Sequence, residues 1–199
     1  MQLHKTLILI IFLILLSAFA YQNKTKAEQW VIYKECFLSV NGSTNVNKFD
    51  CVISSYYRPD TLTFYKNNDA EMLKMTGVMK LDISSFDCHN PMMTADLRKT
   101  LKYKEFPKLI IRFLSISRYP DASHKTIKGW VAIELAGVSK KFEVNYNYQP
   151  GTNNTLTLTG TREVNFSDFN IIPPRKIGGM IQTNNELDIK FNLKMKILD

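Results

Sequence analysis

Histidine and cysteine are scarce in this chain, three of each among 199 residues, and that scarcity limits the chemistry it can house. Past residue 20 only His89 and His124 remain, and neither belongs to a His-Glu-x-x-His helix or another zinc-ligand spacing. A Gly-x-Ser-x-Gly elbow is missing as well. Cys88 and His89 are sequence neighbours, but a nucleophile and its base must face each other across a site, which adjacency does not supply. Asp82 and Asp87 make no carboxylate pair, since Asp82 alternates onto the wet face of its strand. The expectation is a protein that is not an enzyme and carries no metal or cofactor. Nucleic acid is not an expected partner either. No motif for it is present, and the 26 lysines and arginines, against 18 acidic residues, are dispersed rather than gathered into a run. A solvated outer face suits them, with contact to an anionic membrane surface as their other use.

Long apolar runs are also few. Lys5 precedes an apolar stretch over residues 7–16, and Ala18-Phe19-Ala20 follows, the pattern of a secretory signal peptide. The stretch has half of the roughly 20 residues a spanning helix needs. A lipoprotein would need cysteine after the cleavage site, where Tyr21 stands. The expected organisation is therefore a cleaved signal peptide over 1–20, a flexible polar lead-in over 21–29, and one β-barrel domain over 30–199. Losing Lys5 takes the net charge from +8 to +7. The expected location is the periplasm or the exterior, where disulfides persist. Three cysteines, Cys36, Cys51 and Cys88, leave at least one thiol over. Cys51 and Cys88 each follow an acidic residue that ends or interrupts a strand-like run, so a bridge between neighbouring strands is expected. Two buried thiols behaving as small hydrophobes are the alternative.

What the chain has in quantity is alternation. Leu187, Ile189, Phe191, Leu193, Met195 and Ile197 share one face of a terminal strand, and Asp188, Lys190, Asn192, Lys194 and Lys196 share the other. The same period marks Val131 and Ile133, then Phe142, Val144 and Tyr146, then Leu156 and Leu158 against three threonines. Earlier strands are predicted over 30–40, 47–55, 62–65 and 79–83. Another runs over 109–114, where apolar residues on both faces predict burial on both. Turn residues separate these runs. One segment has a different period: Met93, Leu97 and Leu101 are four apart, predicting an amphipathic helix over 94–104. Thr94 is the expected cap, with Asp96 near the positive end and Pro107 as the stop. Eight or nine strands with one helix, and no repeated strand–helix alternation, predict an all-β antiparallel barrel or sandwich. A barrel leaves no exposed edge.

Four segments carry a resemblance. Leu81-Asp82-Ile83 leads through a helix to Phe106-Pro107-Lys108-Leu109-Ile110-Ile111-Arg112-Phe113. Ile127-Lys128-Gly129-Trp130 leads to Gly137-Val138-Ser139-Lys140-Lys141-Phe142. Asn165-Phe166-Ser167-Asp168-Phe169-Asn170-Ile171 follows, and Leu38-Ser39-Val40-Asn41-Gly42-Ser43-Thr44-Asn45-Val46 opens the domain. In order and spacing they resemble the YceI-like family, over most of residues 36–197. Two positions depart from that family: Asn170 stands where glycine is usual, and Phe166 where a polar or basic residue is common. Asn tolerates a left-handed backbone, whereas Phe166 removes a basic contact for an anionic head group.

The resemblance implies an extended lipocalin-like antiparallel β-barrel of about eight strands with one inserted helix. Its implied partner is a long apolar lipid, of isoprenoid-quinone or polyprenyl type, held inside for sequestration or transport. Alternation alone selects the expected lining: Val131, Ile133, Phe142, Val144, Tyr146, Leu156, Leu158, Leu187, Ile189, Phe191 and Leu193. Small barrels are often filled by their own side chains, so the residue pattern by itself favours a solid core and the resemblance favours a cavity. Tyr146 and Tyr148 are candidates to place hydroxyls at its mouth. A filled barrel acting as an interaction module of the cell envelope or stress response is the alternative, with Tyr33 and Trp130 as outward contacts. A homodimer stays open.

Overall fold

The terminal strand organises the molecule. In the computed structural model, which describes residues 26–33, 36–56, 58–66, 72–119 and 126–198, it runs unbroken from Ile181 to Leu198. The wall around it comprises β1 (Lys26–Ile32), β2 (Cys36–Thr44), β3 (Lys48–Tyr56), β4 (Thr61–Lys66) and β5 (Leu73–Asp82). It continues, after helix α1 (Pro91–Thr100), with β6 (Lys108–Ile116), β7 (Thr126–Leu135), β8 (Val138–Pro150) and β9 (Thr155–Asn165). The two-residue β10 (Arg175–Lys176) precedes the terminal strand, β11. One edge of β11 pairs with β9; the other is shared, β2 taking residues 183–192 and β1 residues 195–198. The β1–β11 pairing closes the ring β1-β4-β5-β6-β7-β8-β9-β11, an eight-stranded antiparallel barrel. The pairs β1/β2 and β3/β4 each act as one long interrupted strand, so β2 and β3 extend the wall below the ring.

That extension leaves a seam, because β5 ladders with β4 but not with β3. Three links close it. Val52 and Asp87 exchange backbone hydrogen bonds at 2.7 and 2.9 Å, Cys51 and Cys88 are bridged, and the Lys80 N–H donates to the Tyr56 hydroxyl at 3.4 Å. The bridge also rules out a Cys88–His89 dyad, since Cys88 holds no thiol. The third cysteine, Cys36, is buried at the break between β1 and β2, with its sulfur 3.2 Å from the Lys194 N–H.

The interior is uneven along its axis. At one end Trp30 packs on Phe64 with ring centroids 4.1 Å apart, and Tyr119 meets both rings edge-on. Ile32, Leu62, Met75, Ile116, Leu156, Leu158 and Met195 complete this solid end, each fully or almost fully buried. At the other end α1 lies beneath the wall, with Leu97 and Leu101 buried and Met93 packed against the core.

Several expected boundaries move. Residues 26–29, expected in the lead-in, belong to β1 and pair with β4 and, at Gln29, with β11. The strand expected over 30–40 is broken between Ile32 and Cys36, where the partner along β11 changes. The helix starts earlier than its apolar period predicts. Asn90 is the cap, its side-chain oxygen accepting from the N–H groups of Met92 and Met93 at 2.9 and 3.1 Å, and Pro91 fills the first helical position, where its missing N–H costs nothing. Thr94 is instead buried inside the helix and accepts from Cys88 N–H at 2.9 Å. β6 is not buried on both faces: Ile110 and Leu114 are half-exposed, and a bulge near Leu114 restores Ile116 to the interior. Residues 1–20, expected to be a signal peptide, lie outside the described residues with 21–25, as do His124 and the turn expected at 67–69.

Candidate ligand-binding interior

Two cavities lie end to end inside the barrel, below the Trp30 cluster. The first, about 40 Å³, is bounded by β2, β3, β5, β6, β7, β8, β9 and β11; the second, about 50 Å³, continues to α1. Leu38, Ile111, Ile133 and Ile189 line both. Cross-strand register explains the sharing. Ile111 sits opposite Ile133, and Leu38 opposite Phe191, next to the Val40–Ile189 pair. Ile111, Ile133, Ile189 and Phe191 all point inward yet are only half-buried, as expected for side chains with a void beside them rather than a neighbour.

Of the residues expected to line a tunnel, Val131, Ile133, Val144, Leu187, Ile189, Phe191 and Leu193 lie against these cavities. Phe142, Tyr146, Leu156 and Leu158 do not. They point inward but are enclosed by other side chains. Tyr146 meets Phe191 edge-on at 5.6 Å. Its hydroxyl is buried with no hydrogen-bond partner among the described residues, and burial pushes its pKa well up. That hydroxyl does not reach a mouth. Phe191 lies over Gly160, where even a methyl group would collide with its ring; the absent side chain makes room for the aromatic beside the cavity.

Sequence reasoning missed part of the lining. Leu38, Met79, Leu81, Ile111 and Phe113 lie on strands whose alternation is plain in the sequence. Arg162 is less obvious. It continues the inward phase of Leu156, Leu158, Gly160 and Val164, and it borders the first cavity while remaining exposed. Room for it arises because the β8–β9 ladder stops at the Asn145–Thr161 pair. Its guanidinium lies 5.7 Å from the centroid of the Phe142 ring, a cation–π distance.

Below Arg162 a single helical turn, residues 166–169, carries Phe166 and Phe169 into the barrel end. A capping box fixes it: Asp168 accepts from the Asn165 N–H at 2.9 Å, and the Asn165 side chain accepts in return. Lys140 also donates to Asp168. Burial by itself would raise the Asp168 pKa. The two hydrogen bonds and the charges of Lys140 and Arg162 outweigh it and hold the carboxyl below the ordinary range. Asn170 follows at φ 53°, the left-handed conformation in which it replaces glycine without strain. Asp168→Asn is therefore expected to lower the melting temperature at neutral pH. A depressed folded-state pKa contributes stability above the unfolded value of about 4 and loses it as pH falls through the folded value. Melts across pH should show the two proteins converging only below about pH 4; a constant gap down to acid would contradict the assignment.

Phe166, which stands where a polar or basic residue is common in the family it resembles, lines the second cavity together with Leu97. Both also line a vestibule of about 400 Å³ on the far side, enclosed by α1, the β2–β3 hairpin and the β10–β11 hairpin. Phe166 and Leu97 thus form a buried apolar partition between the second cavity and the vestibule.

The closed ring, the one α-helix among the described residues and the apolar interior define a lipocalin-like barrel. The match to the YceI-like domain spans residues 36–195, and the chain belongs to that family. No curated protein sequence matches it. Among solved structures, BcnA of Burkholderia cenocepacia superposes with a TM-score of 0.61 at 16% identity, covering 80% of this chain and 95% of that one. A polyisoprenoid-binding domain from Saccharophagus degradans, implicated in plant cell wall breakdown, gives 0.53 at 9% identity, covering 84% and 97%. The YceI protein of Campylobacter jejuni gives 0.50 at 13% identity, covering 70% and 81%. At these identities the likeness speaks to the fold.

Proposed function

We propose that this is an exported, non-enzymatic lipid-binding protein, periplasmic or secreted, that holds an isoprenoid-type or similar long apolar chain inside the barrel for sequestration or transport. The observation that carries the reading is the pair of adjoining cavities sharing Leu38, Ile111, Ile133 and Ile189, with a lining that is apolar apart from Arg162 and Tyr56. A flexible hydrocarbon suits such a space. Its transfer from water gains roughly 25 cal/mol per Å² of apolar surface, without directional contacts. The polyisoprenoid-binding neighbour on the same fold supports the choice of ligand class. The cavities are narrow, so a long chain must displace flexible neighbours as it enters; Met79 and Phe191, both lining residues, are the side chains placed to swing.

Native mass spectrometry on protein recovered from an exporting host tests this. The expected result is a chain beginning at Tyr21 with a hydrocarbon adduct, and uptake of an offered polyprenol by delipidated protein. Absence of any adduct, with no uptake, would overturn the lipid reading and favour a filled interaction module. An uncleaved N-terminus would overturn the export reading alone.

A further inference from the structure

The vestibule at the α1 end is rimmed by side chains that the fold leaves in water. Val46, at the tip of the β2–β3 hairpin, is 66% exposed, and Met92 on α1 is 77% exposed. Ile177 and Met180, on the β10–β11 hairpin, are 67% and 73% exposed. Val46, Met92 and Ile177 line the vestibule, and Met180 stands beside Ile181, which lines it too. Exposed apolar groups scattered singly need no explanation; several around one mouth mark an interaction surface. The rim is also held in shape. Asn45 donates from its backbone to Gln182 O at 3.0 Å and from its side-chain amide to Met180 O at 2.9 Å. Its side-chain oxygen accepts from Gln182 N–H at 3.0 Å. The two hairpin tips are thereby joined. Lys176 bonds Asp96 at 2.6 Å and ties the β10–β11 hairpin to α1 across the opening.

Ile177 supplies an independent observation. Its φ is 51°, in the left-handed region where a β-branched residue is a genuine outlier. Asn or Gly would sit there with little strain, and the fold recovers little burial in return, because the side chain stays two-thirds exposed. Strain that packing does not explain points to a role for the presented side chain. Charge then selects the partner. The hairpin tips and their approach, residues 41–49 and 170–182, contain Lys48, Arg175 and Lys176 and no carboxylate. Asp50, next along β3, lies 3.9 Å from the His89 imidazole, and the one acidic residue of α1, Asp96, is held by Lys176.

We propose that this face docks on an anionic lipid bilayer. Val46, Met92, Ile177 and Met180 sit at the boundary between head groups and acyl chains, and Lys48 and Arg175 face the lipid phosphates. The vestibule then opens onto the membrane, and Leu97 and Phe166 form the partition between lipid and barrel interior. Docking goes beyond the ligand reading and does not depend on it.

Flotation with vesicles of phosphatidylcholine plus phosphatidylglycerol, using protein recovered after export, tests the proposal. Binding is expected on these vesicles and should fall about fivefold or more on phosphatidylcholine alone or at high salt. Ile177→Asn combined with Met180→Asp should reduce binding about tenfold without lowering the melting temperature, since both positions are exposed and Asn suits the backbone at 177. Trp130→Ser, on the exposed outer wall of β7, should change nothing. Unaltered flotation of the double variant, or an equal loss in Trp130→Ser, would overturn the proposal. So would a double variant that floats normally but loses a dimer in sedimentation, which assigns the rim to a second copy of the chain. An empty barrel in the mass spectrum would leave the flotation result untouched, so the two readings fail separately.

Discussion

Removing the Cys51–Cys88 bridge by the double substitution Cys51→Ala/Cys88→Ala is expected to destabilise the barrel by about 3–4 kcal/mol. The bridge closes a loop with a sequence separation of 37, and chain-entropy estimates for a loop of that size fall in this range. Position adds to the effect. The bridge lies in the seam where β3 has no ladder with β5, beside the lone Val52–Asp87 pair. Without it, one short backbone pairing and one tyrosine hydroxyl hold the two sides of the wall together. Urea unfolding under oxidising conditions measures the difference, and adding reductant to the unsubstituted protein should reproduce most of it. A loss below about 1 kcal/mol would mean that the seam is held by α1 and the core instead.

The elements most legible in the sequence were those whose one-sided burial is continuous. β11 alternates without interruption from Leu187 to Ile197 because one face meets the interior along its whole length, and period 2 reports that directly. The helix was legible as a helix, since Met93, Leu97 and Leu101 all turn to the barrel. Its start does not follow the apolar period, because Asn90-Pro91, a cap and first-position pair with its own physical meaning, sets it instead. The break between β1 and β2 left no such trace. It arises where β11 exchanges one partner for another, a tertiary event, and the alternation reads through it. The site was half legible for a related reason. Alternation says which side chains point inward, but not at what height along the axis. Leu156 and Leu158 point inward as surely as Ile189 does, yet they belong to the end filled by Trp30 and Phe64. Arg162 was hidden by its own chemistry: a charged residue in the inward phase looks like the end of a pattern, until the parting of β8 from β9 makes room for it.

Opposite changes at Ile189 should separate binding from stability. Ile189 lines both cavities at their junction, so added volume there closes the passage and removed volume widens it. Ile189→Phe is expected to cut polyprenol uptake by delipidated protein about tenfold or more, while overpacking costs about 1–3 kcal/mol of stability. Ile189→Ala is expected to lower stability by about 2–5 kcal/mol through the lost transfer energy and the enlarged void, yet to keep uptake or raise it. Both variants are thus less stable, and they move in opposite directions in binding. A binding loss that merely followed instability would lower uptake in both, more so in the alanine variant. Lys190→Ala, one residue along on the wet face, serves as the control and should alter neither quantity. Uptake that falls in parallel with melting temperature across the set would place the apolar ligand somewhere other than the barrel axis. Uptake that falls only in Ile189→Phe would locate it at the junction of the two cavities, on the wall that β11 closes.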